Sequence, residues 1–196
     1  MTFSLILPMA MFALAASISP GPVNLVCLGS GLHHPLHRGL HFVTGATLGF
    51  IVLFLAVGLG LYGLLQAYPP LLNILHWGGI AFLLYMSFRL AAASDPLSVP
   101  GSGKSPGLLT GALMQWLNPK AWLASAAGIA AYTNGGMEQI FWFALVYLPV
   151  CWCSLACWVW LGKALRRHLG NGHWLRWLNR LLALLLAASC LYLLRY

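Results

Sequence analysis

Residues 107–132 read GLLTGALMQWLNPKAWLASAAGIAAY, an apolar run broken in its middle by Asn118-Pro119-Lys120. About 20 predominantly apolar residues suffice to cross the hydrocarbon core of a bilayer. Pro119 lacks the N–H that a continuing helix needs, yet it suits the first position of a new helix. Asn118 then falls at the N-cap, a position asparagine fills well. A half-helix starting there would turn free N–H groups and the positive end of its dipole into the membrane, where they attract an anion such as a carboxylate. Lys120, the only charge in the run, adds a full positive charge at about the same depth. A lysine at the centre of a span costs about 2.5–3.5 kcal/mol on insertion scales, so it ordinarily faces a cavity or a partner. The competing reading is a lysine that snorkels from a helix that is merely kinked.

A second break of the same kind lies about half a chain away, at Ser19-Pro20-Gly21-Pro22-Val23-Asn24. Two prolines around a glycine interrupt the helix, and Ser19 or Gly21 would cap its restart. Irregular backbone at membrane depth is tolerated only when buried in protein or facing a water-filled cavity. Asn24 places an amide beside this break and Gln115 places one beside the other. A purely structural kink is the alternative here too.

Beyond the breaks, apolar stretches cover residues 3–31, 40–65, 71–92, 107–132, 139–165 and 174–194. The chain of 196 residues is 61% hydrophobic and only 6% charged, where a soluble domain carries roughly a quarter charged residues. The reading is an all-α integral membrane protein, a single transporter domain over 1–196 with six transmembrane helices. The continuous apolar runs are not the alternating strands of a β-barrel. The halves, about 1–98 and 99–196, each open on a broken span, which predicts a 3+3 inverted repeat with helices 1 and 4 broken. Interrupted helices in matching positions of two such halves point to a transport site. Residues 3–14 resemble a signal-peptide core, but no Lys or Arg precedes them, so they are read as a retained first helix.

The charges are lopsided, with ten Lys or Arg against Asp95 and Glu138. Arg38 marks the first loop, Lys104 with nearby Arg89 the third, and Lys163, Arg166, Arg167 and Arg176 the fifth. Positive residues stay on the cytoplasmic side, so the odd loops face inward and both termini face the periplasm. No basic stripe lies on a soluble face, so nucleic acid is not an expected partner. The expected partners are the bilayer and a small molecule bearing an anion such as a carboxylate, with self-association left open.

Other candidates carry less. His33, His34, His37 and His41 cluster in the first loop, some at a four-residue spacing that suits a metal on a helix. A divalent-metal exporter is therefore the alternative function, but the spans lack the carboxylates such ions favour. A basic loop near lipid headgroups explains the cluster more simply, and neither a metal site nor a cofactor is expected. The five cysteines form no C-x-x-C pair and read as buried small hydrophobes. No paired acids or nucleophile–base pair suggests an enzyme. Gly45-x-x-x-Gly49 and Gly107-x-x-x-Gly111 would let helices approach closely.

Taken together, Ser19-Pro20-Gly21-Pro22-x-Asn24, the basic loop through Arg38, the Gly45-x-x-x-Gly49 region and Leu117-Asn118-Pro119-Lys120 resemble the LysE/RhtB family of bacterial amino-acid exporters. The resemblance covers nearly the whole chain. It implies efflux of amino acids or metabolites across the inner membrane, with a substrate site at Pro20, Gly21, Pro22, Asn24, Gln115, Asn118, Pro119 and Lys120. Many family members carry an aspartate after the second-helix glycine, where this sequence has Phe50. That departure resembles the branch exporting cysteine and O-acetylserine, and it leaves no acid within any span.

The charge asymmetry predicts that a fusion at Tyr196 is active with alkaline phosphatase and dark with a reporter that fluoresces only in the cytoplasm. The opposite pattern would invert the orientation.

Overall fold

The computed structural model describes residues 5–61, 67–92, 105–133, 136–168 and 172–193. The expected third loop, with Asp95 and Lys104, and the end of the expected second span lie outside the described residues. So do the side chains of Arg89 and Cys190.

The described chain is helical throughout. In order, the helices are α1 (Ile6–Ile18), α2 (Pro22–His33), α3 (Leu36–Gly58), α4 (Pro69–Ala92), α5 (Leu108–Trp116), α6 (Pro119–Tyr132), α7 (Met137–His168) and α8 (Gly172–Leu193). Both expected breaks are present. Pro22 opens α2 and Pro119 opens α6, each at the helix start where a missing N–H does no harm. Across the first break the chain bends by 62°. Among the described residues, α3 and α7 are each long and apolar enough to cross a membrane alone, and the bent pair α1–α2 makes a third candidate. Pro149 lies inside α7 without ending it.

Two boundaries differ from the sequence reading. The first loop shrinks to a tight turn at His34-Pro35, because Pro35 accepts from the Arg38 N–H at 3.0 Å and starts α3 at once. His33 and His37 therefore sit on different helices, and their four-residue spacing is not a helical one. Helix α3 ends at Gly58, and Gly60 just beyond adopts φ +95°, a conformation that only glycine takes without strain, so the expected second span is interrupted there.

α7 is the central element, packing against α1, α2 and α3, while α3 also packs on α5, and α4 pairs with α8. Glycines set the closest crossings. A Cβ at Gly45 would run into the Leu108 backbone, and one at Gly111 would stand 2.6 Å from Ala46 N. A Cβ at Gly49 would meet Ala112 Cα at 2.5 Å. Gly107, the other half of that expected pair, faces open space and contributes nothing to the crossing. Polar side chains then tie helix to helix: Trp116 Nε1 donates to Gly49 O at 3.1 Å, Trp152 Nε1 to Thr44 Oγ1 at 3.1 Å, and Ser87 Oγ to Ala183 O at 2.8 Å. An aromatic layer of Phe12, Phe54, Tyr132, Phe143 and Tyr147 fills the interior between α1, α3, α6 and α7.

Much of the described outer surface is apolar. Leu7, Phe88 and Leu109 are about 70% exposed or more (70%, 70% and 72%). Such a surface suits lipid and not water. Cys27 and Cys151 are buried as expected, but Cys153 and Cys157 are exposed. They lie on the face of α7 opposite the buried Cys151, Leu155 and Val159, so helical periodicity turns them outward.

The α3–α5 crossing gives a direct test. Gly111→Val forces backbone apart and is expected to destabilise by about 1–3 kcal/mol, the usual cost of overpacking. Gly107→Ser, at the N-cap of α5 where an added Cβ meets nothing, should not lower the melting temperature in detergent. Equal melting of the two variants would refute the assigned contact.

Candidate functional site

The first break leaves the carboxyl end of α1 inside the protein, with the last carbonyls of a helix short of intrahelical donors. In a membrane each one left unpaired costs several kcal/mol. Here every carbonyl from Ala15 to Pro20 has a donor. Ser19 N–H donates to Ala15 O at 3.3 Å and Ser19 Oγ to Ala16 O at 3.2 Å. Asn24 Nδ2, on the next helix, donates to Ser17 O at 2.8 Å, and Trp158 Nε1 of α7 donates to Ile18 O at 3.1 Å. Lys120 supplies the rest: its ammonium donates to Ser19 O at 2.7 Å, to Ser19 Oγ at 2.9 Å and to Pro20 O at 3.5 Å.

The second break closes mainly on itself. The Asn118 side chain accepts from Lys120 N at 3.1 Å, the N-cap bond expected of it. Gln115 O accepts from Asn118 N at 3.2 Å, and Trp122 Nε1 donates to Trp116 O at 2.7 Å. Asn118 and Gln115 are buried, and Lys120 is half-buried.

The two breaks therefore meet, with the ammonium of one on the carbonyl end of the other. A cation at that end also opposes the negative pole of the α1 dipole. Lys120 reaches across the protein interior, not up toward a headgroup. Gly21 makes room for it, since a Cβ there would stand 3.1 Å from Lys120 Cδ and 3.2 Å from Nζ. Of the two expected caps for α2, Gly21 takes the N-cap position and Ser19 ends α1 instead. α2 consequently begins with no side-chain cap. The N–H groups of Val23 and Asn24 head this uncapped start, beside the Lys120 ammonium.

Of the expected site residues, Pro20, Gly21, Pro22, Asn24, Asn118, Pro119 and Lys120 converge at this junction. Gln115 joins it through its backbone carbonyl. The sequence reading missed a polar group behind the first break. The Ser17 hydroxyl faces the Tyr147 phenol and the Cys151 thiol. Thr47 Oγ1 lies beside the same thiol, buried and without a hydrogen bond of regular geometry. The signal available was a hydroxyl or thiol inside an otherwise apolar span, a common and unspecific one. Phe50 closes this region, its ring centroid 4.5 Å from that of Tyr147.

The histidines do not converge in the same way. His41 Nδ1 lies 2.7 Å from His37 O, and the two rings stack edge to face at 6.4 Å. Among the described residues no group of three or more His, Cys, Asp or Glu is placed to hold a metal ion.

Comparison with known proteins covers nearly the whole chain. Residues 14–196 match the family described as LysE type translocator. Similar proteins include the cysteine/O-acetylserine efflux protein of Salmonella choleraesuis, 25% identical over 89% of this chain and 90% of the relative. The protein of that name from Klebsiella pneumoniae is 26% identical over 91% of this chain and 92% of the relative. No solved structure matches the chain.

The hydrogen bonds at the breaks rank the side chains. Asn24→Ala removes the donor to a buried carbonyl and is expected to cost about 1–3 kcal/mol. Asn118→Ala removes a cap, typically worth about 1 kcal/mol. Thermal unfolding in detergent should show the larger loss for Asn24→Ala; a neutral Asn24→Ala would mean that Ser17 O is satisfied by other means.

Proposed function

The chain belongs to the LysE type translocator family, and on that premise we propose that it is a secondary transporter exporting small neutral amino acids or derivatives, such as cysteine, O-acetylserine or homoserine, from the cytoplasm. In this reading it sits in the bacterial inner membrane with six spans: α1–α2, α3, α4, α5–α6, α7 and α8. The first three and last three form inverted halves whose broken spans meet at the site, and both termini are periplasmic. The names of the similar proteins support the substrate class.

The observation that carries the reading is the Lys120 bridge. Its ammonium rests on the neutral acceptors of Ser19 and Pro20, beside the uncapped start of α2. A carboxylate is a stronger acceptor than a carbonyl, because a charge-assisted hydrogen bond is roughly twice as strong as a neutral one. A zwitterionic substrate therefore exchanges with the bridge on both sides. Its carboxylate takes Lys120 and the N–H groups of Val23 and Asn24. Its ammonium takes the carbonyls of Ser19 and Pro20 that Lys120 gives up. The exchange conserves charge pairs and leaves no backbone group without a partner. Ser17, Thr47, Tyr147 and Cys151 offer neutral polar groups for a short side chain, and no acid is near to balance a cationic one. The only acids in the chain are Asp95, between α4 and α5 in sequence, and Glu138, in the first turn of α7.

Inside-out vesicles test both halves of the exchange. Cysteine and O-acetylserine should be taken up better than lysine, and cysteine methyl ester, lacking the carboxylate, should compete poorly. Lys120→Met should abolish most transport, and Lys120→Arg should keep part of it, since charge survives but shape and hydration change. Full transport by well-folded Lys120→Met protein would remove Lys120 from the site. A preference for lysine would refute the substrate class.

A further inference from the structure

At the far end of α7 from Glu138, a cavity of about 490 Å³ opens between α7 and the α2–α3 turn. Gly31, His34, Leu36, Lys163, Arg166 and Arg167 line it. The three cations stand at i, i+3 and i+4 on α7, so one helical face carries them all. Lys163 is half-buried, and Arg166 and Arg167 are exposed. The cavity owes its place to the crossing below it. Cβ atoms at Gly31 and Gly162 would run into the Val159 and Leu28 backbones, so α2 and α7 touch there and part just beyond. Glu138 is the only described carboxylate. Along a helix rising 1.5 Å per residue, it lies roughly 37 Å from Lys163.

A second feature leads into this cavity. Cys153, Cys157, Trp160 and Ala164 form an exposed stripe along α7 at spacings of four, three and four, and Arg167 continues it three residues later. Trp160 is 59% exposed. An aromatic ring of this kind suits the boundary between hydrocarbon and headgroups. The stripe is thus apolar at membrane depth and cationic at its end.

We propose that this cavity binds the phosphate headgroup of an anionic phospholipid, with an acyl chain lying along the Cys153–Cys157–Trp160–Ala164 stripe. Arginine guanidinium groups match a phosphodiester with paired N–H donors, and Lys163 adds a point charge deeper in. The three cations themselves select against zwitterionic lipids. The ammonium of choline or ethanolamine would enter a cavity already holding three cations. Basic pockets between transmembrane helices are suited to anionic headgroups on the same grounds. Plain complementarity between these cations and the carboxyl end of α7 would explain their charge, but neither the cavity nor the apolar stripe that feeds it.

Native mass spectrometry of the full chain in a neutral detergent tests the proposal, using phosphatidylglycerol and phosphatidylcholine with the same acyl chains. Phosphatidylglycerol should be retained several-fold better, and added salt should weaken the preference. Lys163→Gln/Arg166→Gln/Arg167→Gln should abolish it, while Arg166→Lys/Arg167→Lys should keep part. Equal retention of both lipids by the unaltered protein would overturn the proposal, whether or not the triple variant folds. So would a folded triple variant that keeps the preference. In a parallel arm, thermal stabilisation by inorganic phosphate without lipid selectivity would assign the cavity to a soluble anion and overturn the lipid reading.

Discussion

A broken helix inside a membrane must find donors for the carbonyls at its cut end, and the architecture around α1 answers that requirement. Three other helices contribute: α2 through Asn24, α6 through Lys120 and α7 through Trp158. None of these partners is local in sequence beyond Asn24, since Lys120 and Trp158 lie 101 and 140 residues from their acceptors. The break is therefore a junction that only the assembled fold satisfies. The same demand explains why Gly21 stands where it does, since a Cβ there would crowd the lysine that closes the junction.

The two breaks solve the same problem in different ways. The second is nearly self-sufficient, with a side-chain cap on α6 and a tryptophan from α6 on the last carbonyl of α5. The first depends on other helices for its carbonyls and leaves the N–H groups that open α2 without a side-chain cap. A self-sufficient terminus has little to gain from a ligand. A terminus held by borrowed donors can exchange them, and on the proposed reading this asymmetry favours α2 for the anion end of the site over α6, where the sequence pattern first suggests it.

What was legible in the sequence follows from local chemistry. Pro22 and Pro119 mark helix starts because proline has no N–H, and Asn118 marks a cap because its short side chain reaches back to the next N–H groups. Gly45, Gly49 and Gly111 mark a crossing because nothing larger fits. What was not legible depends on facing. Helical spacing alone does not say which side of α7 meets protein, so Cys153 and Cys157 read as buried until the packing of α1, α2 and α3 fixed the inner face. The histidine spacing misled for a related reason: Pro35 separates two helices inside what reads as one basic loop. The Lys120 partners were out of reach, because a bond across 101 residues leaves no periodic trace.

Phe50 sharpens the electrostatic argument. Its ring packs on Tyr147 and Phe54 within the core, so this position supplies packing and no charge. Among the described residues, the junction of the two breaks carries one cation, Lys120, and only neutral acceptors. A buried ammonium is tolerable when each of its protons has an oxygen, and the two oxygens of Ser19 with Pro20 O meet that condition. Displacing the ammonium from them without compensation would strand both the charge and the carbonyls, a cost that grows as water is excluded. On the proposed reading, only a ligand that carries an anion and a small cation on adjacent atoms avoids that cost. An α-amino acid does, because its carboxylate and ammonium share one carbon. A simple carboxylic acid satisfies the lysine but leaves the carbonyls bare, and a simple amine does the reverse. Selection for a zwitterion then needs no intramembrane acid.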